Sequence, residues 1–163
     1  MATVKDLLQE DLVIEEIEAI DKRGVIREFS RLLKSTGRIE KEDELMRVLL
    51  EREALGSTGI GDGVAIPHAK LPFLPEMIIA FGRSSRGVDF QSRDAKPVHL
   101  FFLLVTPDDR PGEYLKALSR ISRILKNPVL REKLRQASQR QELQRLIFEE
   151  DNKYPQPRAV QHP

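Results

Sequence analysis

Hydrophobic residues repeat at helical spacing in the first and last thirds of the chain and form strand-like runs between them. In the first third, this spacing predicts a helix over residues 25–36 and a second that begins at 40 or 41 and ends at 54. Gly37 follows the first helix at the position where a glycine commonly ends one. A short strand is predicted before both helices, at residues 12–14.

The last third also has a helical pattern. Its apolar residues recur at intervals of three or four: Leu115, Leu118, Ile121 and Leu125. Asn127 followed by Pro128 predicts the start of a further helix, with Asn as the N-cap and Pro in the first helical position. Ser138 and Gln141 have the spacing of a capping box, which predicts the start of a final helix.

The middle of the chain predicts strands and one loop. Residues 56–63 contain four glycines, which predicts a turn-rich loop. The segments 64–66, 77–82 and 98–105 are rich in β-branched and aromatic residues, and each predicts a strand. Helices on either side of a strand-rich centre indicate an α/β fold, in which a single domain has a central mixed β-sheet flanked by helices and a helical C-terminal region.

The chain of 163 residues has room for one domain of about 100–200 residues. We assign residues 1–150 to that domain and predict a disordered tail over 151–163, where three prolines occur among few residues that a core could bury. The N-terminus lacks the apolar run of a signal peptide. The longest apolar run, residues 100–105, is too short for a membrane span of about 20 residues. We therefore expect a cytoplasmic protein without membrane insertion.

The charge of the chain is balanced overall, with 27 basic and 26 acidic residues and a net charge of +1. This balance argues against a dedicated nucleic-acid-binding protein. The distribution is uneven, however, because residues 1–53 carry 10 basic and 14 acidic side chains, whereas residues 113–145 carry 9 and 3. The basic region is either the solvated surface of arginine-rich helices or a docking surface for an acidic partner.

The candidate chemistry depends on histidine, because the chain has three histidines and no cysteine. His68 follows the predicted strand at 64–66 and the glycine-rich loop. The glycines allow backbone N–H groups to approach an anion, and a neutral imidazole is a competent nucleophile towards a phosphoryl group. A structural histidine beside a tight turn explains the same pattern, and the loop has neither a Walker A nor a dinucleotide-binding motif.

The segment from Arg52 to His68, with the sequence REALGSTGIGDGVAIPH, resembles the signature of the EIIA domains of the fructose/mannitol type in the phosphoenolpyruvate-dependent phosphotransferase system. The resemblance is greatest to the nitrogen-regulatory branch of that family. It extends more loosely over residues 7–148, including the predicted strand at 98–105, and leaves out the tail.

The resemblance implies that His68 accepts a phosphoryl group from an HPr-like phosphocarrier protein, which enzyme I charges from phosphoenolpyruvate. Arg52 stands where the family has an active-site arginine, and its guanidinium suits phosphate oxygens. Ser57 and Thr58 are candidate phosphate-binding residues, although turn formation explains them equally well. Tyr114 stands in place of a second active-site histidine of the family and is a third candidate phosphate-binding residue. Its hydroxyl can donate a hydrogen bond but cannot become cationic, which puts in question how the phosphorylated ring is stabilised.

The two other histidines are not expected to take part. His99 lies within a predicted strand and is interpreted as a packing residue, and His162 lies in the predicted tail. The three histidines lack metal-ligand spacing, so we predict neither a metal nor a bound cofactor.

Three functions fit the sequence: a regulatory carrier that binds its target proteins differently when phosphorylated, a sugar-transport EIIA that passes phosphate to an EIIB, and an EIIA-like interaction module that is not phosphorylated.

Overall fold

A computed structural model describes residues 3–72 and 74–155 of the chain. The helices in this part of the chain are α1 (Val4–Leu7), α2 (Lys22–Ser35), α3 (Glu42–Ala54), α4 (Pro111–Ile124), α5 (Pro128–Gln136) and α6 (Arg140–Asn152), with a short 3₁₀ helix at Glu10–Leu12. The strands are β1 (Val13–Ile14), β2 (Gly59–Gly61), β3 (Val64–Ala65), β4 (His68–Leu71), β5 (Ile78–Val88) and β6 (Val98–Pro107).

The strands form one mixed sheet in the order β1-β5-β6-β3-β2, with β4 also paired to β6. β5 and β6 are antiparallel, whereas β1 runs parallel to β5, and β3 and β4 run parallel to β6. Every residue of β6 except His99 is buried, which indicates that both faces of the central strand are covered. The predicted α/β fold, with a mixed sheet flanked by helices, is confirmed.

β3 and β4 pair with β6 one after the other, with an interruption between them. Val64 pairs with Leu100 and His68 pairs with Leu104, so both short strands follow the same side of β6. Pro67, which has no N–H to donate, lies in the interruption, and its carbonyl accepts a hydrogen bond from Leu104 N–H at 3.0 Å. His68 follows the short strand β3, as predicted, and the structure shows that it also begins a further strand, β4.

The predicted helix signals are confirmed in two places. Gly37 has a φ of +77° just after α2, and its N–H donates to the carbonyl of Lys34 at 3.1 Å. Asn127 caps α5, because its Oδ1 accepts hydrogen bonds from the N–H groups of Val129 and Leu130 at 3.0 and 3.4 Å. Both signals depend on local backbone geometry, which is why the sequence alone was sufficient to place them.

Two local expectations were wrong. The segment 56–63 is not entirely loop, because β2 lies within it and pairs antiparallel with β3. The capping box at Ser138 is absent, since Gln139 is the N-cap of α6 and no side chain caps it. The helix predicted from the spacing of Leu115 is present as α4, but Leu115 itself is 62% exposed. Glycine content, capping motifs and helical spacing are local signals. None of them shows which tertiary contacts a segment makes, and those contacts determine pairing and exposure.

The last described helix continues beyond the domain boundary that we drew at residue 150. α6 ends at Asn152, and the buried side chain of Asp151 accepts a hydrogen bond from Arg120. Residues 156–163, most of the predicted tail, lie outside the described residues. The division into 1–150 and 151–163 therefore stays a prediction. Across residues 3–72 and 74–155, the helices are too short or too polar to cross a membrane.

Candidate functional site

The ends of three elements meet around His68. Arg52 lies in the last turn of α3, His68 is the first residue of β4, and Tyr114 lies in the first turn of α4, which follows β6. α3 packs against β4, which brings Arg52 close to His68 across 16 residues of sequence. The pairing of His68 with Leu104 places β4 beside the strand that leads into α4. The topology thus brings three of the predicted site residues together.

The His68 ring has a defined tautomer. Its Nδ1 lies 2.8 Å from the carbonyl oxygen of Ile66, which can only accept a hydrogen bond, so Nδ1 carries the proton. Nε2 then has a free lone pair, and this lone pair accepts a hydrogen bond from Nε–H of Arg52 at 3.1 Å. The nitrogen available for nucleophilic chemistry is therefore Nε2.

Arg52 is held from two sides. In addition to its bond to His68, its guanidinium Nη1 donates to the carbonyl of Gly56 at 3.0 Å. This second bond links the arginine to the turn that follows its own helix. A half-buried guanidinium that already touches the nucleophilic nitrogen needs little movement to reach an anion bound there.

The surroundings of His68 favour the neutral ring. Burial lowers the pKa of His68 below its ordinary value, because desolvation penalises the charged form, and the positive charges of Arg52 and Lys70 lower it further. The hydrogen bond to Ile66 and the charge of Glu53 act in the opposite direction but are outweighed. The ring is consequently neutral and nucleophilic at pH 7.

Tyr114 lies where a second aromatic ring of the site was predicted. Its ring centroid is 5.5 Å from that of His68, with the planes tilted by 52°. Burial raises the pKa of Tyr114, so the phenol remains neutral. The ammonium of Lys70 lies 5.3 Å from the centre of the Tyr114 ring. The candidate set omitted Lys70, although alternation along a strand places residues 68 and 70 on one face.

The hydroxyls of Ser57 and Thr58 already have partners within the protein. Ser57 donates to the carbonyl of Phe90 at 3.0 Å, and Thr58, whose side chain is buried, donates to the carboxylate of Glu53. Both residues thus hold the segment between α3 and β2. Their role in binding phosphate stays a prediction that none of these bonds supports.

Most of the glycine-rich segment does not face His68, contrary to our expectation. Gly61, Asp62 and Gly63 all have positive φ and form the turn between β2 and β3. The partners of Val64 and His68 on β6 are four positions apart, a distance of roughly 13 Å at about 3.3 Å per residue. The glycines shape this hairpin and bring its backbone close to Pro97 and His99.

His99 lies at this hairpin, in a polar pocket of about 380 Å³ that is also lined by Lys96, Arg131 and Arg135. Its Nδ1 donates to the carbonyl of Ser84 at 2.8 Å, and Nε2 lies 3.4 Å from Nη2 of Arg135. The structure thus places His99 in the sheet and well away from the His68 site. His162 lies outside the described residues.

Several cations of the basic region at 113–145 have structural partners. Arg120 binds Asp151, Arg131 donates to the carbonyls of Leu125 and Lys126, and Arg145 pairs with Glu149. These contacts favour the interpretation of ordinary helix surfaces over that of a single docking surface for an acidic partner.

Comparison with known proteins gives a family match over nearly the whole chain. The family model described as "Phosphoenolpyruvate-dependent sugar phosphotransferase system, EIIA 2" matches residues 6–150. The matched region contains all three residues that meet at the site, and it also contains the His99 pocket.

Two curated relatives represent different branches of this family. The "Nitrogen regulatory protein" of Bradyrhizobium diazoefficiens is 38% identical over 133 residues, which cover 81% of this chain and 86% of the relative. The "PTS system fructose-specific EIIABC component" of Bacillus subtilis is 35% identical over 148 residues, which cover 91% of this chain. The chain spans only 23% of the length of that second relative.

The fold also matches a solved structure. Nitrogen regulatory protein IIA-Ntr from Neisseria meningitidis superposes with a TM-score of 0.83 at 30% sequence identity, over 88% of this chain and 98% of that one. The sequence match and the structural match thus agree on one family.

Proposed function

The chain belongs to the EIIA 2 family of the phosphoenolpyruvate-dependent sugar phosphotransferase system, and on that basis we propose that it carries a phosphoryl group on Nε2 of His68. Membership makes the chain a phosphotransferase component; the stoichiometric carrier role and its residues are our proposal. The observation that supports the assignment most directly is the place of His68, where the ends of α3, β4 and α4 meet and its Nε2, which carries the lone pair, lies 3.1 Å from Nε of Arg52.

The transfer step balances without an added proton. The Nε2 lone pair attacks the phosphorus of a donor phosphohistidine whose other ring nitrogen carries a proton, and the new N–P bond forms. The donor nitrogen keeps the electron pair of the bond that breaks, so the donor leaves as a neutral imidazole. The proton on Nδ1 stays shared with the carbonyl of Ile66. The phosphorylated ring then carries a positive charge next to the phosphoryl group, and the reverse step releases a neutral imidazole.

Arg52 changes partner during this step. Its Nε–H occupies the lone pair of Nε2 before transfer, so the incoming phosphoryl group displaces it from the nitrogen. The guanidinium then binds the phosphoryl oxygens, for which its planar set of donors is suited. Lys70, on the same strand as His68, supplies a second positive charge. Tyr114 supplies a neutral ring at the position where the family often has a second histidine.

We propose that the donor is an HPr-like phosphocarrier protein in the cytoplasm. Two exposed leucines next to site residues support docking of a protein: Leu55, which is 85% exposed, follows Arg52 by three residues, and Leu115 adjoins Tyr114. Apolar side chains exposed beside a charged site are typical of a protein contact surface.

The regulatory role is our first choice for the fate of the phosphorylated protein. A relative named as a nitrogen regulatory protein matches along most of its length, and the solved structure from Neisseria meningitidis has a name of the same kind. A phosphoryl group adds a charge of about −1.5 to −2, which changes how a neutral protein surface docks its partners. The fructose-specific relative, at 35% identity, supports a second candidate, transfer to an EIIB domain.

The proposal is tested by incubating the protein with phosphoenolpyruvate, enzyme I and an HPr-type carrier, and measuring its intact mass. We expect one added phosphoryl group that is lost in acid, and none when enzyme I is left out. If no cognate carrier phosphorylates the protein, the carrier proposal fails and an unphosphorylated interaction module remains.

The two candidate roles are separated by adding isolated EIIB domains to the phosphorylated protein. Rapid loss of the phosphoryl group to one EIIB would favour sugar transport. A phosphoryl group that is stable towards every EIIB, together with a phosphorylation-dependent change in binding to target proteins, would favour regulation.

A further inference from the structure

A buried ion pair lies directly behind the His68 site. Glu53 is 6% exposed at the end of α3, and its Oε1 lies 3.2 Å from Nζ of Lys22 on α2. The Lys22 ammonium also lies 4.9 Å from the centre of the Phe90 ring. Neither charged group touches the His68 ring, so the proposed transfer step leaves this pair without a role. Removing two charges from water costs free energy, and this cost is offset only where further hydrogen bonds satisfy the charged groups.

The carboxylate of Glu53 is also the acceptor for Thr58. It accepts the Thr58 N–H at 3.1 Å and the Thr58 hydroxyl through its other oxygen. Three donors therefore converge on one side chain, two from Thr58 and one from Lys22. This arrangement fixes the position of residue 58 relative to the end of α3.

A continuous chain of hydrogen bonds leads from Thr58 to the nucleophile. The carbonyl of Thr58 accepts the N–H of Ile66 at 3.0 Å, and the carbonyl of Ile66 accepts the Nδ1 proton of His68 at 2.8 Å. Nε2 of His68 accepts from Arg52, which is bonded covalently to Glu53. The bonds thus close a ring that begins and ends at two adjacent residues of α3.

We propose that Glu53 is a positioning residue for phosphoryl transfer, acting through Thr58 and Ile66 to set the orientation and tautomer of the His68 ring relative to Arg52. The inference rests on the proposed function of His68. It assigns to Thr58 a supporting role in this ring, in place of the direct phosphate contact that the sequence suggested. Lys22 contacts the same carboxylate from α2 and so helps to hold it in place for both Thr58 donors.

The decisive variant is Glu53→Gln, which keeps the shape of the side chain and removes its charge. We expect phosphoryl transfer to His68 to slow by about 10- to 100-fold, the effect of a reacting group displaced on the ångström scale. Nitrogen NMR should show His68 as the Nδ1–H tautomer in the wild-type protein and as a mixture in the variant. Glu51→Gln is the matched control, because Glu51 is exposed on the same helix and pairs with Arg47.

Two substitutions of Thr58 keep the proposal testable if Glu53→Gln does not fold. Thr58→Val removes the hydroxyl and retains the N–H, so it should slow transfer several-fold, whereas Thr58→Ser retains the hydroxyl and should restore the wild-type rate. Circular dichroism checks that each variant is folded. A folded Glu53→Gln, or failing that a folded Thr58→Val, with the wild-type rate and His68 tautomer would overturn the proposal.

The NMR measurement separates this inference from the proposed function, because it requires no carrier protein. If the wild-type protein takes up no phosphoryl group, the carrier proposal fails. The dependence of the His68 tautomer on Glu53 is still measured in that case, and an unchanged tautomer would refute the positioning role on its own.

Discussion

His68 and His99 have similar hydrogen bonds and very different surroundings. Each ring donates its Nδ1 proton to a backbone carbonyl at 2.8 Å, and each has an arginine near Nε2. Arg52 lies 3.1 Å from His68 and is also anchored to the carbonyl of Gly56, whereas the exposed Arg135 lies 3.4 Å from His99. A free lone pair beside a guanidinium is thus insufficient to identify a phosphoryl acceptor.

The difference lies in how each ring is placed in the sheet. His68 begins β4 after the break at Pro67, where the ends of α3 and α4 also meet. His99 lies within β6, and the backbone of Gly87 is so close that an added Cβ would be 3.2 Å from its Nε2. The ends of three elements thus surround the nucleophile of His68, whereas the backbone of β5 crowds that of His99.

The largest expected effect separates the two histidines directly. His68→Gln should abolish phosphorylation by the HPr-type carrier, because the nucleophilic nitrogen is gone, whereas His99→Gln should be phosphorylated as fully as the wild-type protein. Intact mass after incubation with phosphoenolpyruvate, enzyme I and the carrier measures both. Phosphorylation that persists in His68→Gln, or is lost in a folded His99→Gln, would reverse the assignment.

The two arginines provide the next test. Arg52→Ala should slow transfer by about 100-fold, since it removes a preorganised positive charge from the position where phosphoryl oxygens arrive. Arg135→Ala should leave the rate unchanged, because the pocket that it lines is remote from His68. Rapid-quench kinetics with the phosphorylated carrier gives both rates. Equal rates for Arg52→Ala and wild type would remove Arg52 from the mechanism.

Features set by local geometry could be predicted from the sequence. The α2 and α3 periodicity, the glycine at 37 and the Asn127 cap each depend on neighbouring residues, and each is confirmed. The same holds for the long buried strand β6, whose apolar run is visible in the sequence. The mixed sheet followed from the alternation of these elements along the chain.

Contacts between distant residues could not be predicted in this way. The partnership of Glu53 with Lys22 joins charges 31 residues apart, and no periodic pattern marks either as buried. Helical spacing placed Leu115 on an apolar stripe of α4 without showing whether anything covers it. The approach of Arg52 to His68 was available only through resemblance to a family, since the packing of α3 on β4 brings them together.

The smallest expected effect concerns the titration of His68. Burial and the charge of Arg52 both lower its pKa. The ring therefore remains neutral at pH values somewhat below about 6.5, the ordinary pKa of histidine. The rate of phosphoryl acceptance should therefore stay constant from neutral pH down to that value and fall only as the pH decreases through the lowered pKa. Arg52→Gln removes one positive charge and should raise the pKa only part of the way to its ordinary value, because desolvation is the larger cause. NMR titration of the His68 ring measures these midpoints, with Arg135→Gln as the control that leaves the midpoint unchanged. A wild-type midpoint at or above the ordinary value would contradict this prediction, because it would show that burial does not penalise the charged ring.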